Sequence, residues 1–229
     1  MDSKRSEYLR ALDIDVWVRR TATSADRPQP ALDAAGQEQR ARDHLVLDWP
    51  ELESRVKHCV QCGLAKTRTQ TVFGVGNRQA RWMVIGEAPG ADEDAHGEPF
   101  VGRAGQLLNS MLKACGLARQ DVYIANILKC RPPQNRDPTP EEVERCIPFL
   151  HRQIALVNPQ LILCVGRIAA QNLLNTATTI GKLRGQVHRL GAERRPVVVT
   201  YHPAYLLRSP GEKRRAWQDL MLAMSTAAQ

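Results

Sequence analysis

The chain has 229 residues, 43% of them hydrophobic, which is enough for one α/β domain with a substantial core plus an appended segment. No apolar run approaches the length of a membrane span, and the charged start Met1-Asp2-Ser3-Lys4-Arg5 leads into no apolar signal core, so a soluble cytoplasmic protein is expected. A formal net charge of +8 favours polyanionic partners, and six cysteines without an export signal argue against a disulfide framework.

The first stretch carries scattered apolar positions (Tyr8, Leu9, Leu12, Trp17, Val18), and Thr21 to Arg42 is rich in Ala, Pro, Gln and charge. Residues 1–44 therefore read as an arm and flexible linker, and the folded domain is expected over 45–229. Four apolar runs follow: Trp82-Met83-Val84-Ile85, Val122-Tyr123-Ile124-Ala125, Leu161-Ile162-Leu163-Cys164-Val165 and Val197-Val198-Val199. Each reads as a buried parallel strand. Helical patterns lie between them at about 104–115, 140–157 and 167–175, and a further amphipathic helix is expected over Ala216 to Met224. Thr139, Pro140 and Glu142 spell a capping box at the start of the second. This alternation predicts a three-layer α/β/α sandwich around a central four-stranded parallel sheet. In such sheets ligands bind beyond the carboxyl ends of the strands, here Glu87 to Phe100, Asn126, Gly166-Arg167 and His202.

Position separates the cysteines. Cys164 sits in an apolar strand and Cys115 near a helix end, both as packing residues. Cys59-Val60-Gln61-Cys62 forms a knuckle, with Cys130 after a strand and Cys146 two turns into a helix. Four-cysteine metal ligation is the expectation, with a redox pair or plain buried thiols as alternatives; spacing alone leaves zinc and iron–sulfur both open.

The loop Gly86-Glu87-Ala88-Pro89-Gly90-Ala91-Asp92-Glu93-Asp94 follows a strand but ends in no Gly-Lys-Ser/Thr, so it is not a nucleotide phosphate loop. Its acidic residues read individually as a solvated turn. Phe100, set in a polar loop, is either a core anchor or a stacking platform for a base. Asn126 offers a donor and an acceptor suited to a pyrimidine edge, although an Asn more commonly ties down a turn. His202 sits where it can donate to a leaving anion. Beyond it, Tyr205, Leu206 and Leu207 beside Arg208, Lys213, Arg214 and Arg215 suit a wedge into a base stack with phosphate anchoring.

These residues resemble the uracil-DNA glycosylase superfamily, specifically its family 4, the iron–sulfur type. The likeness runs from about Leu45 to Leu222 and rests on Gly86-Glu87-Ala88-Pro89-Gly90, Pro99-Phe100-Val101-Gly102, Asn126 with Cys130-Arg131-Pro132-Pro133, His202-Pro203 and Leu206-Leu207. It implies a monofunctional enzyme of base excision repair that flips uracil from DNA and hydrolyses its glycosidic bond. Phe100 would stack on the base, Asn126 would read O4 and N3–H, and His202 would bind O2. Ala88 and Asn135 would line the pocket, with Glu93 near the uracil C5 edge. Leu206 or Leu207 would fill the vacated stack beside Arg208. Cys59, Cys62, Cys130 and Cys146 would hold a structural [4Fe–4S] cluster. A well-known branch has an Asp, which handles the attacking water, where this chain has Ala88, so Glu87 and Glu93 become the candidates for that task. A covalently reacting branch carries a His-containing insertion near the third cysteine; Arg131 to Arg136 holds no His, which implies ordinary turnover.

Two rivals remain at this level. One is a metal-stabilised module that binds single-stranded DNA without chemistry. The other is an enzyme acting on a free nucleotide or nucleoside. Nothing in the sequence demands more than a monomer.

Overall fold

The computed structural model of the protein describes residues 46–228; the arm and linker expected over residues 1–44 lie outside them. The elements are helix α1 (Trp49–Lys57), strands β1 (Val75–Gly76) and β2 (Trp82–Gly86), helices α2 (Ala91–His96) and α3 (Arg103–Ala114), strand β3 (Tyr123–Asn126) and helix α4 (Pro140–Val157). Then come β4 (Leu161–Val165), α5 (Arg167–Leu173), α6 (Ile180–Leu183), β5 (Val187–Leu190), β6 (Arg195–Thr200), α7 (Pro203–Arg208) and α8 (Lys213–Ala227).

The sheet has six strands in the order β1-β3-β2-β4-β6-β5. Its middle four are parallel and are the four apolar runs of the sequence. The four-stranded expectation is corrected by two antiparallel edge strands, β1 on β3 and β5 on β6. The first is two residues long, and the second, Val187-His188-Arg189-Leu190, is largely half-buried. Neither carries the unbroken apolar run that marks a strand covered on both faces.

Alternation along the central strands builds the three layers. Met83, Ile85, Tyr123, Ala125, Ile162 and Cys164 face a core closed by α1, α4, α5 and α6. Their neighbours Trp82, Val84, Ile124, Leu163 and Val198 face the opposite core, closed by α3, α7 and α8. Period-2 side-chain geometry thus serves two cores from one apolar run. Burying each such Val, Leu or Ile contributes roughly 1.5–3 kcal/mol, so the sheet centre is the stable frame on which the loops stand. Among the described residues no helix is long and apolar enough to cross a membrane.

Helix α4 begins where its capping box predicts. Thr139 Oγ1 accepts the Glu142 N–H at 3.3 Å and the Glu142 carboxylate accepts the Thr139 N–H at 2.8 Å. The acidic stretch after β2 is not wholly a loop, since Ala91–His96 winds into α2. The Glu93 carboxylate reaches back to the Gly90 N–H at 3.0 Å and satisfies one of the free donors at the new helix start. Replacing Thr139 with Ala should lower stability by about 1 kcal/mol, read as a lower urea midpoint with an unchanged slope.

Candidate active site

The parallel ladder between β2 and β3 sets Gly86 beside Asn126. Pairing continues past the strand ends, with Ile127 N–H donating to Gly86 O at 2.9 Å and Leu128 N–H to Glu87 O at 3.0 Å. A Cβ on Gly86 would stand 2.4 Å from Asn126 Oδ1 and 2.7 Å from the Phe100 ring, so glycine alone leaves room for both side chains. Asn126 is 2% exposed, and its Oδ1 is buried without a hydrogen-bond partner. An acceptor in that state costs about 1–3 kcal/mol.

Phe100 is buried and adopts φ +55°, a left-handed backbone uncommon for a bulky residue. Two groups hold it there. Glu93 Oε1 accepts from Val101 N–H at 3.1 Å and Gly102 N–H at 3.4 Å, while Oε2 accepts from Gly90 N–H. From the other side the Arg119 guanidinium donates to the Phe100 and Pro99 carbonyl oxygens. Gly105 completes the cradle, since a Cβ there would lie 1.8 Å from the Phe100 carbonyl oxygen. Both Glu93 oxygens are thereby occupied by main-chain donors. Arg119 gives no sign of this role in the sequence, standing 19 residues beyond the ring it positions.

His202 caps α7, with Nδ1 accepting the Ala204 N–H at 3.1 Å. That bond fixes the tautomer: the ring proton must sit on Nε2, which becomes a donor. Burial, reinforced by Arg208, pushes His202 down to about 4, so the ring is neutral at neutral pH. Its ring stacks on Phe100 with centroids 5.6 Å apart.

A cleft of about 410 Å³ brings together Glu87, Ala88, Glu93, Phe100, Asn126 and His202, within the usual size of small-molecule sites. Asn135, Tyr205 and Arg208 also line it. Asn135 Oδ1 accepts from Arg131 Nε at 2.8 Å. Burial and the nearby Asp137 raise the Glu87 carboxyl to about 7, against the opposing pull of Arg167. Arg167 and Asp137 form an ion pair at 2.7 Å, and Asp137 was not among the residues singled out from the sequence. The two leucines offered as alternatives for the wedge separate: Leu206 is 1% exposed and packs in the core under α7, whereas Leu207 is 36% exposed beside Tyr205.

Cys59, Cys62, Cys130 and Cys146 line one separate pocket with Arg68, Lys129 and Arg145. Arg68 Nη1 donates to Cys130 Sγ at 3.1 Å, and the Lys129 main-chain N–H donates to Cys146 Sγ at 3.2 Å. Arg145 Nε is buried without an acceptor. Such donors suit sulfurs that carry negative charge, while among the described residues no group of three or more Cys, His, Asp or Glu is placed to hold a single metal ion. Burial raises the Cys62 thiol, the opposite of what a reactive redox pair needs. Cys164 and Cys115 lie apart from this pocket, in the first and second cores respectively.

A family model described as the uracil DNA glycosylase superfamily matches residues 73–221. The chain is 49% identical over 166 residues to a protein of Archaeoglobus fulgidus named type-4 uracil-DNA glycosylase, covering 70% of this chain and 83% of that one. A protein of the same name from Thermotoga maritima is 45% identical over 166 residues, covering 72% and 85%. Another from Pyrobaculum aerophilum is 41% identical over 182 residues, covering 77% and 93%.

The charges around Glu87 make its titration a direct check on this geometry. Followed by carboxyl NMR, its midpoint should lie near 7. Replacing Asp137 with Asn removes a like charge and should lower the midpoint; replacing Arg167 with Gln removes the opposing cation and should raise it. A Glu87 midpoint in the ordinary carboxylate range would contradict the geometry.

Proposed function

The chain belongs to the uracil DNA glycosylase superfamily, and we propose that it excises uracil from DNA as a monofunctional glycosylase, leaving an abasic site. The observation that carries the reading is the buried, unpartnered Oδ1 of Asn126 beside Phe100 in the cleft. Uracil N3–H is the donor that completes it, while Asn126 Nδ2 donates to O4. Cytosine presents an acceptor at N3 and a donor at C4, which mismatches both contacts.

The flipped base stacks on Phe100. His202 donates from Nε2 to O2, where negative charge grows as the C1′–N1 bond breaks and its electron pair leaves with the uracil. A neutral imidazole suits this, since it stabilises the anion without a proton having to be taken up first. Water then adds to the sugar C1′, and Glu87 orients it and accepts its proton. Glu93, both of whose oxygens are occupied by main-chain donors, acts as a positioning residue for Phe100 and not on water. Ala88 and Asn135 line the cleft. On the DNA side Leu207 fills the gap in the stack, and Arg208 meets phosphate.

Cys59, Cys62, Cys130 and Cys146 would hold a [4Fe–4S] cluster, whose contribution when bound is structural, tying the segment after α1 to α4 and to the chain after β3. The donors on Cys130 and Cys146 and the unpartnered Arg145 Nε support this.

Two measurements test the assignment. Replacing Asn126 with Asp should cut kcat/KM on a uracil oligonucleotide at least about a hundredfold and relax the choice against cytosine; full retention of rate and selectivity would remove Asn126 from its role. In the native protein kcat/KM should rise with pH as Glu87 ionises, with a midpoint near 7. His202 should add no inflection until about 4. Replacing Glu87 with Gln should lower the rate and flatten the rise; an unchanged profile would assign the water to another group.

A further inference from the structure

Lys129 is one of the largest fully buried side chains, 1% exposed, and the mechanism above does not use it. Its Nζ donates to the Asn126 carbonyl oxygen at 2.8 Å and to Gln153 Oε1 at 2.6 Å. Gln153 is held in turn, donating to the Phe73 carbonyl at 2.9 Å and to the Tyr123 hydroxyl at 3.2 Å. At its other end Lys129 donates its main-chain N–H to Cys146 Sγ. One residue therefore grips both the main chain of Asn126 and a wall of the cysteine pocket.

Three cations line that pocket, and the carboxylate that acts on Cys62, Glu142, is already paired with Arg136. Arg68 and Arg145 line it with Lys129, and among the described residues none of the three forms an ion pair with a carboxylate. An ammonium removed from water with only neutral acceptors is strongly disfavoured. Four thiolates around iron supply the missing negative charge, so the cations and the cysteines explain one another.

We propose that Lys129 is a positioning residue that joins the cysteine pocket to the base-reading Asn126. Its ammonium, together with Arg68 and Arg145, balances the charge of the thiolate centre while fixing the Asn126 main chain. The inference rests on the cluster reading above. It makes the state of the metal centre matter to base recognition through one side chain, with no electron passing to the substrate. Because the reduced form of a cluster carries one more negative charge, removing a neighbouring cation must make its reduction harder.

The test compares the full-length protein with its Lys129→Met variant by iron and inorganic sulfide content, redox titration of the visible absorption near roughly 400 nm, and kinetics on a uracil oligonucleotide. The expected variant keeps its iron, shows a more negative reduction potential, and loses about tenfold to a hundredfold in kcat with KM nearly unchanged. A packing role alone would lower Tm and leave the potential where it was. An unchanged potential or an unchanged kcat overturns the proposal. Should Lys129→Met fail to fold, Arg68→Gln at the half-buried Cys130 contact decides: a more negative potential supports the charge balance, and an unchanged one overturns it. Wild-type protein without iron and sulfide would sink the cluster reading itself, and this proposal with it.

Discussion

The missing side chain at Gly86 is the constraint on which the cleft depends. The parallel register places it opposite Asn126, and the space it leaves is where the Asn126 carboxamide and the Phe100 ring converge. Any larger residue would drive one of them out. The sheet behind this point is buried on both faces, so its strand ends cannot drift to relieve a misfit. The convergence of a carboxamide and an aromatic ring thus begins with an absence, held by a sheet buried on both faces.

Around that point the chain spends conformational energy to fix geometry. Phe100 keeps a left-handed backbone at an expense of about 1–2 kcal/mol, which Glu93, Arg119 and Gly105 together hold in place. His202 uses one ring nitrogen to cap α7, and the same bond leaves its other nitrogen as the donor. In each case a local structural duty determines the chemical state of a side chain in the cleft. The acidic loop follows the same logic: Glu93 shapes the wall, while Glu87, raised by burial and by Asp137, is the carboxyl whose charge changes near neutral pH.

The central strands, helix α4 and the cleft positions of Phe100, Asn126 and His202 were legible in the sequence, because apolar runs, a capping box and strand-end residues are local signals. The edge strands were not, since β1 is two residues long and β5 lacks an apolar run. Helix α2 was hidden because its start is capped from within, by Glu93 reaching back to Gly90. Leu206 and Leu207 look alike in sequence, and only the rotation of α7 decides that the first enters the core. Arg119 and Lys129 act across long separations or from burial that composition does not reveal, Lys129 standing as a lone cation between Leu128 and Cys130.

The most direct test of the account uses an end-labelled oligonucleotide carrying a single uracil, incubated with the purified protein and then heated in alkali. Scission at that position only after alkali, with none when thymine or cytosine replaces the uracil, is the predicted result and establishes excision to an abasic site. Folded protein that binds the strand but leaves it whole would contradict the account, and would make Phe100, Asn126 and His202 parts of a binding surface.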